Sequence, residues 1–386
     1  MWLHGFNATL ESPPPFGITI LDFNHRPVLL SRETQNMGFP DASFSMSDKE
    51  GQLIFKTNGL EIFTAGDELM ENGADLDEGL FVFPQGAFAL PWPGRDSLYC
   101  LIHEKTAFED NTAYVSEFLY SLVDMRENNG AGAVTEKNVP LMEGAFYYHT
   151  AVRHGNGRDW WIVAPDAYEA AYYVLLLTPE GFEGPYIQEF DFPLDTIKIR
   201  SQKIFSPDGS LYVDFDSWNG IRVFPFDRCT GELGEPRNVP FGFGAPFPFP
   251  GWGAAISPNS RFLYTCTNTL LMQYDLWSSN IADSADTVGI FDDFQTPFSS
   301  TFYFMQLAPD GRIYICATNG ENMYHVINNP NAKGTACEFL PHGLVTPTLT
   351  YIHIPYFPNY RLYDLPDSPC DSLGIDGYIP KNEQEK

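Results

Sequence analysis

Carboxylates and aromatic rings are the side chains here whose types and spacing could do chemistry. Residues 104–111 (EKTAFEDN) bring Glu104, Glu109 and Asp110 into one short stretch, and Asp166, Asp214 and Asp216 recur further along. Oxygen donors of this kind suit calcium, which takes several such ligands. Glu104, Asp110, Asp166, Asp214 and Asp216 are therefore the candidate metal ligands, and calcium the one candidate cofactor. No EF-hand loop or nonapeptide calcium repeat supports them, and a solvated acidic face is the plainer reading of the same residues. Nucleophilic or phosphate chemistry finds no motif: GxSxG, HExxH and a P-loop are all missing. His149 and His154 are five apart on an extended run, so they point to opposite faces and cannot chelate one metal. His103 beside Glu104 is an acid–base candidate, with a satisfied surface histidine as the plainer reading.

The six cysteines, Cys100, Cys229, Cys266, Cys316, Cys337 and Cys370, include no CxxC pair, which argues against a zinc knuckle or a thioredoxin-like site. Cys266 and Cys316 sit in apolar runs as small buried hydrophobes. Cys337 and Cys370 lie in polar stretches and are the candidate disulfide for an oxidising compartment, although spacing does not determine connectivity.

Lys plus Arg total 22 and Asp plus Glu 50 in 386 residues, a formal charge of −28. That excludes nonspecific nucleic-acid binding and attraction to anionic membranes. No apolar run is long enough for a membrane span, and residues 1–15 lack the basic-then-apolar pattern of a leader. Aromatics at 15% and charged residues at 19% exclude a disordered chain or coiled coil. Gly 32 and Pro 31 supply many turns, which suits short strands.

The elements that must position these side chains show as a repeat. Six segments carry an apolar run, a tight turn, a second run led by an aromatic, and a second turn. The first turns include PWPGRD, HGNGRD, SPDG, SPNS and APDG; the aromatic anchors are Phe55, Tyr99, Trp161, Tyr212, Tyr264 and Tyr314, at intervals of 44, 62, 51, 52 and 50. Pro presets φ at the second turn position, and Asp-Gly or Asn-Gly supplies the positive φ. A repeat of this length, built as a four-stranded antiparallel unit, is a β-propeller signature. Residues 17–33 read as the outer half of one further blade, and 343–355 as its inner half. The expectation is an all-β chain: a single propeller of seven four-stranded blades over 16–373, closed by N- and C-terminal strands sharing one blade. Residues 1–15 form an N-terminal extension and 374–386 a polar tail or linker.

Aligning the inner strands on their turns places Gln85, His149, Ser201, Trp252 and Tyr303 around one mouth, with Trp218 in a hairpin on the same side. The stretch 240–252 (PFGFGAPFPFPGW) cannot pair as a central strand, because Pro and Phe alternate in it. It should loop over the mouth, bringing Phe247 and Phe249 to Trp252 and Trp218. This aromatic set is the candidate site for a glycan or protein ligand; plugging of the channel by the same rings is the alternative.

Several runs carry a family resemblance: FGITILDF, SLVDMRENN with EKN, HTAVRHGNGRDWW, FDRCTGEL, and PYFPNYRL with SPCDSLG. In this order they resemble the WD-like propeller region of uncharacterised secreted Bacteroidota proteins of the type IX secretion cargo kind. The resemblance implies export to the extracellular space or cell surface, and a noncatalytic binding or scaffold role of adhesin type. It transfers no site residue. The competing reading is a metal-dependent propeller hydrolase, lactonase-like, using carboxylates around the channel mouth.

Overall fold

The structure is a computed structural model. It describes residues 1–6, 15–39, 42–79, 82–109, 112–194, 201–216, 219–240, 252–295, 298–350 and 352–375. Among these, seven antiparallel sheets follow one another along the chain, five of four strands and two of three. They are the seven blades of one propeller, at 2–33, 44–64, 87–146, 150–189, 203–239, 254–290 and 305–350. Helix among the described residues is limited to short 3-10 turns.

Turn chemistry explains the strand boundaries. In the fifth blade, Asp208 Oδ1 accepts the Ser206 hydroxyl at 2.6 Å and the Ser210 amide at 3.1 Å. Gly209 then takes φ +73° to reverse the chain. The sixth blade repeats the device with Asn259, and Ser260 takes the left-handed position at φ +57°. The aromatic anchors are buried between neighbouring blades. Trp161 donates its indole N–H to Arg228 O of the next blade at 2.8 Å, and the Tyr264 hydroxyl reaches Pro330 O at 2.9 Å. Burying the ring while bonding its polar tip fixes the spacing between blades as well as supplying core area.

Closure uses different segments from those expected. Gly17–Asp22 and Leu29–Glu33 are strands of the first blade, as expected, but the strand inside them is Trp2–Phe6, with Trp2 opposite Leu21 and Phe6 opposite Gly17. Residues 1–6 thus belong to the ring rather than to an extension before it. Trp2 explains this. It repeats the aromatic-led opening of the second strands, and it packs edge-on to Tyr314 of the seventh blade at 5.8 Å. Residues 343–350 fall in Phe339–Thr350, the outer strand of the seventh blade, rather than in the first.

The C-terminal chain still returns to the first blade, by packing. Phe357 stacks on Trp2 at 6.1 Å and lies 5.5 Å from Phe44 of the second blade. Tyr356 meets Phe88 of the third blade at 5.9 Å, and its hydroxyl bonds Thr150 Oγ1 of the fourth. Tyr360 donates to Ala89 O at 2.6 Å, and Asn359 to Pro207 O of the fifth blade at 2.7 Å. A segment this short reaches five blades only by running along the ring axis. Beyond it, the Arg228 guanidinium bonds Tyr363 O, and Leu365 N bonds Gly155 O at 2.8 Å.

A disulfide fastens this strap, and it joins Cys229 to Cys370, with Cα atoms 5.4 Å apart. The expected partner, Cys337, is free and fully buried in the turn Gly334–Cys337, packed among Tyr264, Phe302 and Ile327. Its polar sequence neighbours face outward while the thiol turns in. Cys229 lies instead on the turn that the strap crosses.

Two outcomes follow. Replacing Cys370 with Ser opens a loop spanning a separation of 141 residues, and the chain-entropy estimate puts the loss at up to about 5 kcal/mol, measurable by denaturant unfolding. Truncation after Thr350 removes the axial strap and should abolish cooperative unfolding. A truncated protein that melts like the parent would contradict the assignment of the strap.

Candidate functional site

The expected mouth residues are largely internal. Gln85 is buried and donates its amide to Lys203 O at 2.8 Å and to His149 O at 3.1 Å, so one side chain joins blades three, four and five. Gln202, which the sequence reading passed over for its neighbour Ser201, does the same on the other side. Its Nε2 donates to Met305 O at 3.0 Å, while its Oε1 accepts the amides of Met305 at 2.9 Å and Ala254 at 3.0 Å. Blades five, six and seven meet on this one carboxamide. An amide with donors and acceptors at one end satisfies backbone groups that a tight ring axis would otherwise strand. Ser201 is fully buried beside it.

His149 is enclosed, stacked on Phe88 at 4.7 Å and tilted against Phe118 at 4.5 Å. Neither ring nitrogen has a hydrogen-bond partner among the described residues. Burial, with His103 close by, pushes its pKa down to about 3, so the ring is neutral. His103 is also buried rather than at the surface; its Nε2 lies 3.1 Å from Ser121 Oγ, and burial lowers its pKa to about 4.

The structure does bring Trp252 and Tyr303 together, with rings 5.1 Å apart. Trp252 is half-buried and donates its indole N–H to Asn268 Oδ1 at 2.8 Å. Trp218, Phe247 and Phe249 lie outside the described residues, as does Asp110.

The other candidate metal ligands are dispersed and engaged. Glu104 Oε1 accepts the Phe83 amide at 3.0 Å, in a space where a Cβ on Gly86 would collide with the carboxylate. Asp166 Oδ1 closes a turn by accepting the amides of Tyr168 and Glu169 at 2.8 and 2.9 Å. Asp216 Oδ1 accepts the Asn219 amide at 3.0 Å. Asp214 forms a buried ion pair with Lys203 at 2.5 Å and accepts the Tyr172 hydroxyl at 2.6 Å, with Arg222 at 3.7 Å. Such a pair has to be fully bonded to offset its desolvation. Among the described residues, no three His, Cys, Asp or Glu side chains are grouped to hold a metal ion.

A titratable group that the sequence reading missed is Glu321. It directly follows the hairpin glycine Gly320 and is fully buried. Burial pushes its carboxyl pKa up to about 7. No motif marks it; only its position after an Asn-Gly hairpin, facing inward, sets it apart.

No known protein family matches the chain, and no curated protein matches it. Solved structures do. A candidate 6-phosphogluconolactonase from Bacteroides fragilis is 10% identical, with 90% of this chain and 95% of that one covered and a TM-score of 0.54. A second, from Bacteroides uniformis, is 13% identical over 90% and 97%, also with a TM-score of 0.54. The periplasmic gluconolactonase of Pseudomonas aeruginosa is 12% identical over 92% and 99%, with a TM-score of 0.50. At these identities the likeness establishes a shared propeller fold.

The buried histidines imply a pH dependence. A folded pKa below the unfolded value of about 6.5 gives stability that is fully present above that pH and lost as pH falls toward about 3, as for His4, His149 and His325. Glu321 acts oppositely: its contribution is present below about 4.5 and lost as pH rises through about 7. His149→Phe should fold, keep the stack on Phe88, and reduce the acid slope of stability by one proton, about 1.4 kcal/mol per pH unit. An unchanged slope in pH-dependent denaturation would show that His149 is not held neutral.

Proposed function

We propose that this chain is a noncatalytic binding or scaffold module of a secreted or surface protein, with a glycan or protein ligand. The observation that carries this reading is the state of the ring centre. The inner strands are joined across the axis by Gln85 and Gln202, and residues 354–360 run through it. Side chains that would perform metal-assisted hydrolysis in a lactonase-like site, Asp214 above all, are already bound to protein groups. The Cys229–Cys370 disulfide supports an oxidising compartment, consistent with export. The half-buried Trp252, set against Tyr303, is the aromatic surface best suited to a sugar ring.

The solved neighbours described as lactonases make hydrolysis the reading to test against this one. The purified protein is assayed on a panel of lactones and esters with calcium, zinc or manganese, then with chelator. In parallel it is applied to a glycan array beside Trp252→Ala. The expected result is no metal-dependent turnover, and glycan binding weakened at least about tenfold by Trp252→Ala, as for loss of a hot-spot aromatic. Turnover abolished by chelator and by Asp214→Asn would overturn the noncatalytic reading.

A further inference from the structure

The outer rim between the fourth and fifth blades offers a second binding surface, independent of whatever the mouth takes. The last strand of the fourth blade, Gly181–Glu189, is the edge of its sheet, and among the described residues no strand pairs with its far side. Other edges are mostly short or covered. Phe339–Thr350 of the seventh blade is longer and exposes Leu340 and Val345, but its last residues are bonded to the first-blade side by Leu349 N to Pro15 O at 2.9 Å and Thr348 N to Thr19 Oγ1 at 3.2 Å. The fifth blade ends in the three residues Arg237–Val239. In the third, Ala133–Phe146 is overlaid by residues 71–75, through Val134 N to Glu71 O at 2.9 Å and Asn138 Nδ2 to Asp75 O at 3.1 Å. Gly181–Glu189 instead exposes Tyr186 and Ile187, at 48% and 54%. Pro185 and a register shift interrupt the strand, so the open stretch is Tyr186–Glu189, and an exposed edge of this kind is a template for another strand.

Beside that edge lies a groove. One hollow of about 470 Å³ is lined by Tyr186, Gln188, Glu189 and Phe190 on one side and by Thr230, Glu232 and Leu233 on the other; a second of similar volume continues past Leu233 to Leu365 of the strap. Gln188 keeps the groove in shape, donating to Gly231 O at 2.9 Å and accepting the Leu233 amide at 2.8 Å. Its charge is one-sided. Asp208, Asp227, Glu189 and Glu232 line it, and the one lining cation, Arg228, is buried and spends its donors on the carbonyls of Arg153, His154 and Tyr363. Glu189 and Glu232 have no ion-pair partner among the described residues, and no Lys or Arg occurs in Gly181–Glu189.

We propose that this edge and groove dock an extended cationic segment of a partner protein, which adds as a strand to Tyr186–Glu189 and sets its Lys or Arg side chains against Glu189 and Glu232. Main-chain hydrogen bonds supply the pairing, and the acidic rim selects the partner. A second copy of this chain is disfavoured as occupant, because it would bring another −28 formal charge to an acidic edge.

The test uses a fluorescein-labelled octapeptide of alternating Lys and Val, read by anisotropy at about 0.15 M salt, where diffuse attraction is screened beyond roughly 8 Å. The parent should bind saturably. Glu189→Lys with Glu232→Lys should weaken binding at least about tenfold, while the distant pair Glu50→Lys with Glu127→Lys, matched in net charge, should change it by less than about twofold. A Glu–Val peptide should not bind, and N-methylation of alternate residues of the Lys–Val peptide should remove binding by deleting backbone donors. Thermal melts confirm that both variants fold. Equal losses from the two variant pairs would reduce the effect to general charge, and undiminished binding of the N-methylated peptide would exclude strand addition. Either result, or no saturable binding by the parent, overturns the proposal without touching the mouth.

Discussion

The hydrogen bonds of Gln202 are the interaction on which the ring most depends. A closed circle of sheets turns the inner edges of its short strands toward one axis, where there is little room for water. Each stranded amide or carbonyl there costs free energy. Gln202 answers three of them on two blades beyond its own, and Gln85 answers carbonyls on two more. The axial strap then fills the space left with Ile354, Tyr356 and Phe357. The blades are thereby locked by polar contacts at the mouth side and by apolar contacts along the axis, and the disulfide holds the strap against the turn of the fifth blade.

This arrangement decides what the centre can do. Propeller sites are often built at the axis from side chains of several blades, and here that position is occupied by the chain itself. His149 is sealed between rings, and Asp214 is held by Lys203 and Tyr172. The Trp252–Tyr303 pair at the mouth and the outer rim are the surfaces proposed for recognition. The formal charge of −28 is the premise from which the rim proposal takes a cationic partner.

Much of this was legible in the sequence where the chemistry is local. SPDG and SPNS specify their turns within four residues, and the aromatic opening of each second strand marks an anchor in every complete blade, so the blade count followed. Features set by distant residues were not legible in the same way. Trp2-Leu3 carries the strand-opening pattern, but without a turn before it the repeat could not be seen there. Cys337 looks exposed among polar neighbours, and only the packing of Tyr264 and Phe302 around it shows otherwise. Cys229 and Cys370 stand in two of the runs, FDRCTGEL and SPCDSLG, that carried the resemblance, which was a usable signal for their pairing. Gln85, His149 and Ser201, expected at the mouth, are buried, because periodicity does not tell a residue facing solvent from one bridging to the next blade, and for the same reason it does not mark Gln202 beside Ser201.

Native-state hydrogen exchange at the amides of Ala254 and Met305, both donors to Gln202 Oε1, is the most direct test of the closed centre. These amides should exchange only through global unfolding, with an exchange free energy equal to that from denaturant melts and lowered together with it in Gln202→Leu. Exchange of either amide by local opening, while the remaining strands of blades five to seven stay protected, would mean that the axis is open and that its side chains are free to serve a ligand.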